Sequence, residues 1–213
     1  MEQEKNINYQ IITDEIISTL RTDKRSKLLL HACCAPCSSY VLSYLSRYFD
    51  INILYYNPNI YPKSEYQKRL LEFYKLLEKN DFDCSIQLTE IGYFPEKFYE
   101  ISKGLEKEPE GGLRCEKCFR LRLIEAASEA KKRNADFFTT TLSVSPHKNA
   151  DLINRIGKEL ESEFGIKYLF SDFKKRDGYK KSIELSKEYD LYRQDYCGCV
   201  FSKQISERKP HTT

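Results

Sequence analysis

The stretch Lys27-Leu28-Leu29-Leu30-His31-Ala32-Cys33-Cys34-Ala35-Pro36-Cys37 decides how the rest of the chain is read. Lys27 to Cys33 is a short apolar run, with the length of a buried strand. From Ser38 to Tyr48 the apolar residues Val41, Leu42, Leu45 and Tyr48 recur at helical spacing. A strand running straight into a helix opens a βα unit. In sheets built from such units the turn at the strand's carboxyl end is where ligands sit. A nucleotide-binding protein would place glycines and a phosphate cradle there. Here the turn holds thiols.

The same alternation continues outward. Ile51 to Tyr56 reads as a second strand, ended by Asn57-Pro58-Asn59. Ser64 with Gln67 has the capping-box spacing, and the helix it opens carries Leu70, Phe73, Tyr74 and Leu77 on one face. Cys84 to Thr89 suits a third strand. Residues 92–113 read as irregular, with Pro95, Pro109 and Gly111-Gly112. A helix is expected from Cys118 to about Lys132, its inner face Phe119, Leu123, Ala127 and Ala130. Asp136 to Leu142 is a fourth strand, followed by a loop from Ser143 to His147. The next helix carries Ile153, Ile156, Leu160 and Phe164, and Ile166 to Phe170 is a fifth strand. A basic loop, a helix near Ser182–Tyr189 and a cysteine-bearing end complete the chain. The expected fold is α/β: one domain with a mainly parallel, roughly five-stranded sheet flanked by helices, Rossmann-like or PP-loop/HUP-like. No internal repeat and no Gly/Ser-rich linker interrupts it. The expected division is a partly helical polar leader over 1–26, a catalytic domain over 27–202 and a tail over 203–213.

Composition narrows the function classes. Of 213 residues, 40% are hydrophobic and 31% charged, the balance of a globular chain with a sizeable core. No run of about 18 apolar residues exists, which argues against a membrane span. The N-terminal residues MEQEKNINYQIITDEI carry acids and no apolar segment of the kind an export signal needs. A cytoplasmic location is therefore expected. The net charge of +3 permits an RNA partner without arguing for one.

The eight cysteines are the informative excess. Without an export signal they are expected to stay reduced, and clustered reduced thiols hold metals or do redox work. They fall into groups. Cys33, Cys34 and Cys37 follow the first strand. Cys115 and Cys118 form a CxxC that opens a helix, where the helix N-terminus is expected to lower thiol pKa values. Cys197-Gly198-Cys199 lies near the C-terminal end. Cys84, alone in a predicted strand, reads as a buried inert thiol. Zinc sites usually use two CxxC-like pairs, and adjacent cysteines are an awkward pair for one ion. An iron–sulfur cubane offers separate iron corners that neighbouring cysteines can take singly. Spacing alone leaves zinc and cluster both open. Two thiols one residue apart close only a strained, labile disulfide, which suits redox chemistry; binding a metal is the alternative. Gly198 permits the tight backbone this needs.

The set HACCAPC (31–37), RCEKC (114–118), SVSPHKN (143–149) and KKRDGYKKSIELSKEYDLYRQDYCGC (174–199) resembles the QueH-type epoxyqueuosine reductases, from about Leu28 to Ser202. The resemblance implies reduction of epoxyqueuosine to queuosine in tRNA, the last step of queuosine biosynthesis. It implies a 4Fe-4S cluster on Cys33, Cys34, Cys115 and Cys118, with Cys197 and Cys199 as the redox-active pair. It also admits an additional mononuclear metal, whose nearest ligands would be Cys37, Cys197 and Cys199. Removing an epoxide oxygen takes two electrons and two protons. No GxGxxG follows any predicted strand, so an external electron donor is expected. Asp195, Tyr196 and His31 are proton-donor candidates by nearness in sequence. His31 shares strand parity with Cys33, so it either faces the site or is a satisfied core residue.

For the RNA, Lys174, Lys175, Arg176 and Tyr179 lie in the basic loop, and Arg114 leads a group of cations, with Lys117, Arg120 and Arg122, around the CxxC. Cations with an aromatic suit phosphate contact and base stacking; a solvated charged face is the plainer alternative. Two rival classes remain: a zinc-stabilised RNA-binding module, and a nucleotide-binding protein of the ATP-pyrophosphatase type. Against the second stands the missing phosphate loop after strand one.

Overall fold

The computed structural model describes residues 7–208. Five strands, β1 (Ser26–His31), β2 (Phe49–Tyr55), β3 (Ile86–Glu90), β4 (Phe137–Thr140) and β5 (Lys167–Tyr168), form one sheet in the order β3-β2-β1-β4-β5. Every neighbouring pair is parallel, as the strand–helix alternation requires. The chain builds outward from β1 to β3, then returns to lay β4 on the other side of β1. The carboxyl ends of β1 and β4 therefore border the topological switch point, where open α/β sheets bind ligands.

Eight α-helices flank the sheet among the described residues: α1 (Tyr9–Ser18), α2 (Ala35–Leu45), α3 (Lys63–Glu78), α4 (Pro95–Ser102), α5 (Leu113–Lys132), α6 (Ala150–Phe164), α7 (Gly178–Glu188) and α8 (Val200–Arg208). The alternation along β1 feeds two cores. Leu28 and Leu30 pack with Val41, Leu42 and Leu45 of α2 and Phe73 and Leu76 of α3. Leu29 faces the opposite way, into Leu123, Ala126 and Ala127 of α5 and Ile153, Ile156 and Leu160 of α6. Each of these leucines is fully buried, a gain of about 1.5–3 kcal/mol apiece. The leader's helix α1 is docked: Thr13 Oγ1 donates to the Phe170 carbonyl at 2.7 Å. No described helix is long and apolar enough to cross a membrane.

Several local expectations change. Ser64 caps nothing, because Pro62 occupies the N-cap of α3 and offers no side-chain hydrogen bond. The supposedly irregular 92–113 segment contains α4, opened by Pro95. Helix α5 begins at Leu113, not Cys118, so both cysteines of the CxxC lie in its first turns. The strand read as Asp136–Leu142 ends at Thr140, and Thr141–Val144 turns into a short 3₁₀ helix. Cys84 precedes β3 and is half-buried.

Candidate active site of thiols and buried cations

The first thiol group forms because β1 runs directly into α2. Cys34 is the extended N-cap of α2, Pro36 sits in its first turn, and Cys37 follows on the same turn. Cys33 and Cys34 are buried, with sulfurs 3.9 Å apart. Hydrogen bonding among the three thiols divides their acidities. Cys33, donor to Cys34, is held well above the usual thiol range, with burial adding to the effect. Cys34 gains from the Cys33 donor, but its own bond to Cys37 and its burial win, raising it to about 11. Cys37, which accepts from Cys34, is lowered despite burial. Gln194 Nε2 donates to Cys34 Sγ at 3.1 Å, tying the C-terminal segment to this turn.

The second group comes from α5 and the Cys197-Gly198-Cys199 turn. Three residues apart, Cys115 and Cys118 share a helix face. The expected lowering by the helix N-terminus is overturned. Burial raises Cys115, and it raises Cys118 to about 12, because desolvating a thiolate outweighs the end dipole. The Gly111 N–H donates to Cys115 Sγ at 3.3 Å. Cys199 is buried with Cys118 and Phe98, while Cys197 is half-buried on the other side of Gly198. Gly198 has φ +126°, a conformation that favours glycine, and a Cβ there would press on Arg69 Nη1 at 3.0 Å. Cys197 and Cys199 are free thiols in this arrangement.

Two buried guanidinium groups brace these thiols. Arg69 of α3 pairs with Glu65 at 2.7 Å and donates to the Cys197 carbonyl at 3.3 Å. Arg122 of α5 is 1% exposed and donates through Nε to the Cys118 carbonyl at 3.2 Å. Arg122 Nη2 is buried without a partner, and no carboxylate among the described residues pairs with it. An unpaired buried charge costs several kcal/mol. Burial works against this guanidinium's charge. The fields of Cys118, Cys33, Cys197 and Cys115, once ionised, more than restore it. Those four residues come from both thiol groups. The pattern fits an anionic group held by the thiols, with Arg122 as its counter-charge. Among the described residues no three His, Cys, Asp or Glu side chains converge tightly enough to bind one ion.

Between the carboxyl ends of β1 and β4 opens a cavity of about 560 Å³, within the usual range for a small-molecule site. Cys33, Cys37 and Cys197 line it, together with Lys148, Tyr179 and Tyr196. Glu110, Arg193 and Asp195 add charge to its wall. Cys34, Cys115, Cys118 and Cys199 lie outside the lining.

The proton-donor candidates separate. His31 is completely buried. Its Nδ1 faces the Thr140 hydroxyl at 2.9 Å and its Nε2 the Tyr56 carbonyl at 3.1 Å. A carbonyl only accepts, so Nε2 carries the proton and Thr140 donates to Nδ1. Burial holds His31 down to about 3, so it is the satisfied core histidine. Tyr196 lines the cavity, but its hydroxyl donates to the Tyr61 carbonyl at 2.7 Å. Asp195 stands at the exposed rim.

The expected RNA contacts also separate. Arg114 is 2% exposed, donates to the carbonyls of Leu105 and Glu106, and lies over the Phe201 ring at 4.3 Å. It clamps the loop ahead of α5, which corrects its assignment to an RNA surface. Arg122 is buried likewise. Lys174 pairs with Asp172 at 2.7 Å and Arg176 with Asp14, while Lys175 is exposed and unpaired among the described residues. Tyr179 lines the cavity instead of the outer face of the loop, with Arg193 stacked 5.3 Å from its ring. The sequence reading did not give Arg69 or Lys148 a role and put Arg122 on the surface. One signal was present: Arg114, Cys118 and Arg122 recur every four residues along the apolar face of α5, where a charge needs a partner.

A family model described as "Epoxyqueuosine reductase QueH" matches residues 28–205, nearly the whole described domain and all three groups of thiols. The chain belongs to the QueH family. It is 46% identical over 207 residues to the epoxyqueuosine reductase QueH of Staphylococcus epidermidis, covering 93% of this chain and 85% of that one. The QueH of Streptococcus pyogenes serotype M1 is 39% identical, with 96% of this chain and 82% of the relative covered. That of Thermotoga maritima is 40% identical, over 86% and 93%. The family-model match begins within β1 and ends inside α8, so it takes in part or all of each of the five strands and every residue that lines the cavity.

Proposed function

We propose that this chain reduces epoxyqueuosine to queuosine in tRNA, in the cavity at the β1/β4 switch point. One observation carries the reading: a base-sized cavity lined by Cys33, Cys37 and Cys197, backed by a buried guanidinium that has thiols around it and no carboxylate. Cys33, Cys34, Cys115 and Cys118 would hold a 4Fe-4S cluster, with Arg122 offsetting its negative charge. When bound, the cluster would supply electrons one at a time. Cys197 faces the cavity and Cys199 lies behind it, the arrangement of a dithiol that meets substrate with one sulfur and resolves with the other. Cys37 and Cys197, which both line the cavity, with Cys199 behind them, would be the nearest ligands of an additional metal ion. Tyr179 and Tyr196 offer faces for the inserted base, and Lys175 at the rim offers phosphate contact. A base in an anticodon loop is already unpaired, so placing it in the cavity costs little. Electrons come from an external one-electron donor.

The test mixes anaerobically reconstituted protein, a competent reductant and epoxyqueuosine-bearing tRNA, and weighs the nucleosides by mass spectrometry. Loss of one oxygen is the expected outcome. Unchanged epoxide with the cluster fully loaded sinks the reading. A colourless protein holding zinc would favour the RNA-binding alternative.

A further inference from the structure

The turn Ser145-Pro146-His147-Lys148 joins the 3₁₀ segment after β4 to α6 and is held from both ends. The Lys148 N–H donates to the Ser145 carbonyl at 3.2 Å, and the His147 N–H to Ser145 Oγ at 3.3 Å. Next in the chain, Asn149 caps α6 by accepting from the Leu152 N–H at 3.1 Å. The Lys148 side chain thus starts from a fixed point at the carboxyl end of β4 and lines the same cavity as Cys33, Cys37 and Cys197. No carboxylate among the described residues lies within 4.0 Å of its ammonium group. Burial disfavours the charge on this amine, and Cys197, Cys33 and Cys37, once ionised, favour it more strongly. Two other polar groups of the wall are committed, Arg193 to the Tyr179 ring and Ser186 Oγ and Tyr196 to the Tyr61 carbonyl, which leaves Lys148 as the cation of the wall without a protein partner among the described residues. The Lys148 side chain is a donor of the cavity wall with no protein acceptor among the described residues.

We propose that Lys148 is the hydrogen-bond donor that meets the epoxide oxygen as it leaves the ring. This rests on the epoxide-reductase reading of the same cavity. The overall change breaks both C–O bonds, forms one C=C bond and releases water. Two electrons enter from an external one-electron donor, a low-potential carrier protein or dithionite. Two protons enter, ultimately from solvent, and both end on the oxygen. When the first C–O bond breaks, negative charge gathers on that oxygen. An ammonium N–H preset in a cavity stabilises it without reorganisation.

The test uses cluster-loaded wild type, Lys148→Met and Lys148→Arg with dithionite. Three quantities are measured: single-turnover rate, iron content, and affinity for tRNA bearing either epoxyqueuosine or queuosine. Lys148→Met is expected to keep its iron, bind product-bearing tRNA as wild type does, and turn over about 10²–10³-fold more slowly. It should also lose wild type's preference for the epoxide-bearing tRNA, a readout independent of turnover. Lys148→Arg should recover part of the rate. A Met variant within about threefold of wild type overturns the proposal. So does a rate loss matched by equal loss of affinity for both tRNAs, which marks a phosphate contact, or loss of iron, which marks a scaffold residue. An Arg variant no better than Met overturns the cationic role. If wild type itself leaves the epoxide unchanged, the functional reading falls and this proposal with it.

Discussion

Two cation-rich regions of this chain look alike in sequence and differ in kind. In the loop before α7, half-buried Lys174 is paired with Asp172, and exposed Arg176 with Asp14. Along α5, Arg122 is sealed in the interior with thiols for neighbours and no carboxylate. Exposed ion pairs contribute at most about 1 kcal/mol and ask for nothing further. A buried, unpaired guanidinium is costly until an anion arrives. A buried cation without a partner therefore asks for an anion, and a run of cations already paired with carboxylates does not.

The comparison can be broken most decisively at the thiols. Cys115→Ser is expected to lower iron and sulfide content sharply and to abolish reduction, measured by metal analysis and the tRNA assay; full iron occupancy would remove Cys115 from the ligand set. Cys197→Ser should keep iron near normal and lose at least about 10²-fold in turnover. Loss of the cluster in that variant would instead move Cys197 among the ligands.

The buried region also predicts a pH dependence. Free histidine protonates near pH 6.5, whereas His31 in the fold resists until about 3. Between those values the unfolded chain binds a proton that the folded chain refuses. Stability therefore falls as pH drops from about 6.5 toward 3, by at most about 1.4 kcal/mol per unit. Urea unfolding of the metal-free chain at several pH values should show this slope in wild type and a shallower one in His31→Gln. Equal slopes would mean that His31 is already protonated, or solvated, in the folded chain.

Arg122→Met sharpens the contrast, because its sign depends on the ligand. In the metal-free chain, replacing an unpaired buried charge with an apolar side chain is expected to be neutral or stabilising, by about 1–4 kcal/mol. In the loaded chain the lost counter-charge should move the cluster potential negative, by about 59 mV for each tenfold change in the one-electron equilibrium. Thermal melts of both forms and a redox titration check the pair of signs. Destabilisation of both forms with an unmoved potential would make Arg122 a packing residue only.

The smallest effects belong to the loop. Lys175→Gln should reduce the salt dependence of tRNA binding by about one counterion. Asp14→Asn, which releases Arg176, should strengthen binding at low salt. If neither moves the salt slope, the loop is a solvated face.

Much of this was legible in the residues themselves. The apolar run before Cys33 and the alternation after it specify a parallel sheet, because buried parallel strands read as short continuous apolar segments and their crossovers as amphipathic helices. The thiol groups at helix starts announce where the chemistry lies. Helix α4 was hidden because Pro95, with Pro109 and Gly111-Gly112 further on, resembles loop punctuation, although Pro95 merely occupies a favourable first-turn position. The strand order lies outside local pattern, since it is set by which crossovers pack. Only that order brings the SPHK turn after β4 beside Cys33 and Cys37. Acidity, too, was decided in three dimensions. A helix start predicts lowered thiols at Cys115 and Cys118, and burial, which no short window of sequence reports, reverses the sign. Sequence by itself determined the sheet, the thiols and the family. The tertiary structure decided which cations those thiols meet, because a side chain's partner and its desolvation both depend on residues far away in the chain.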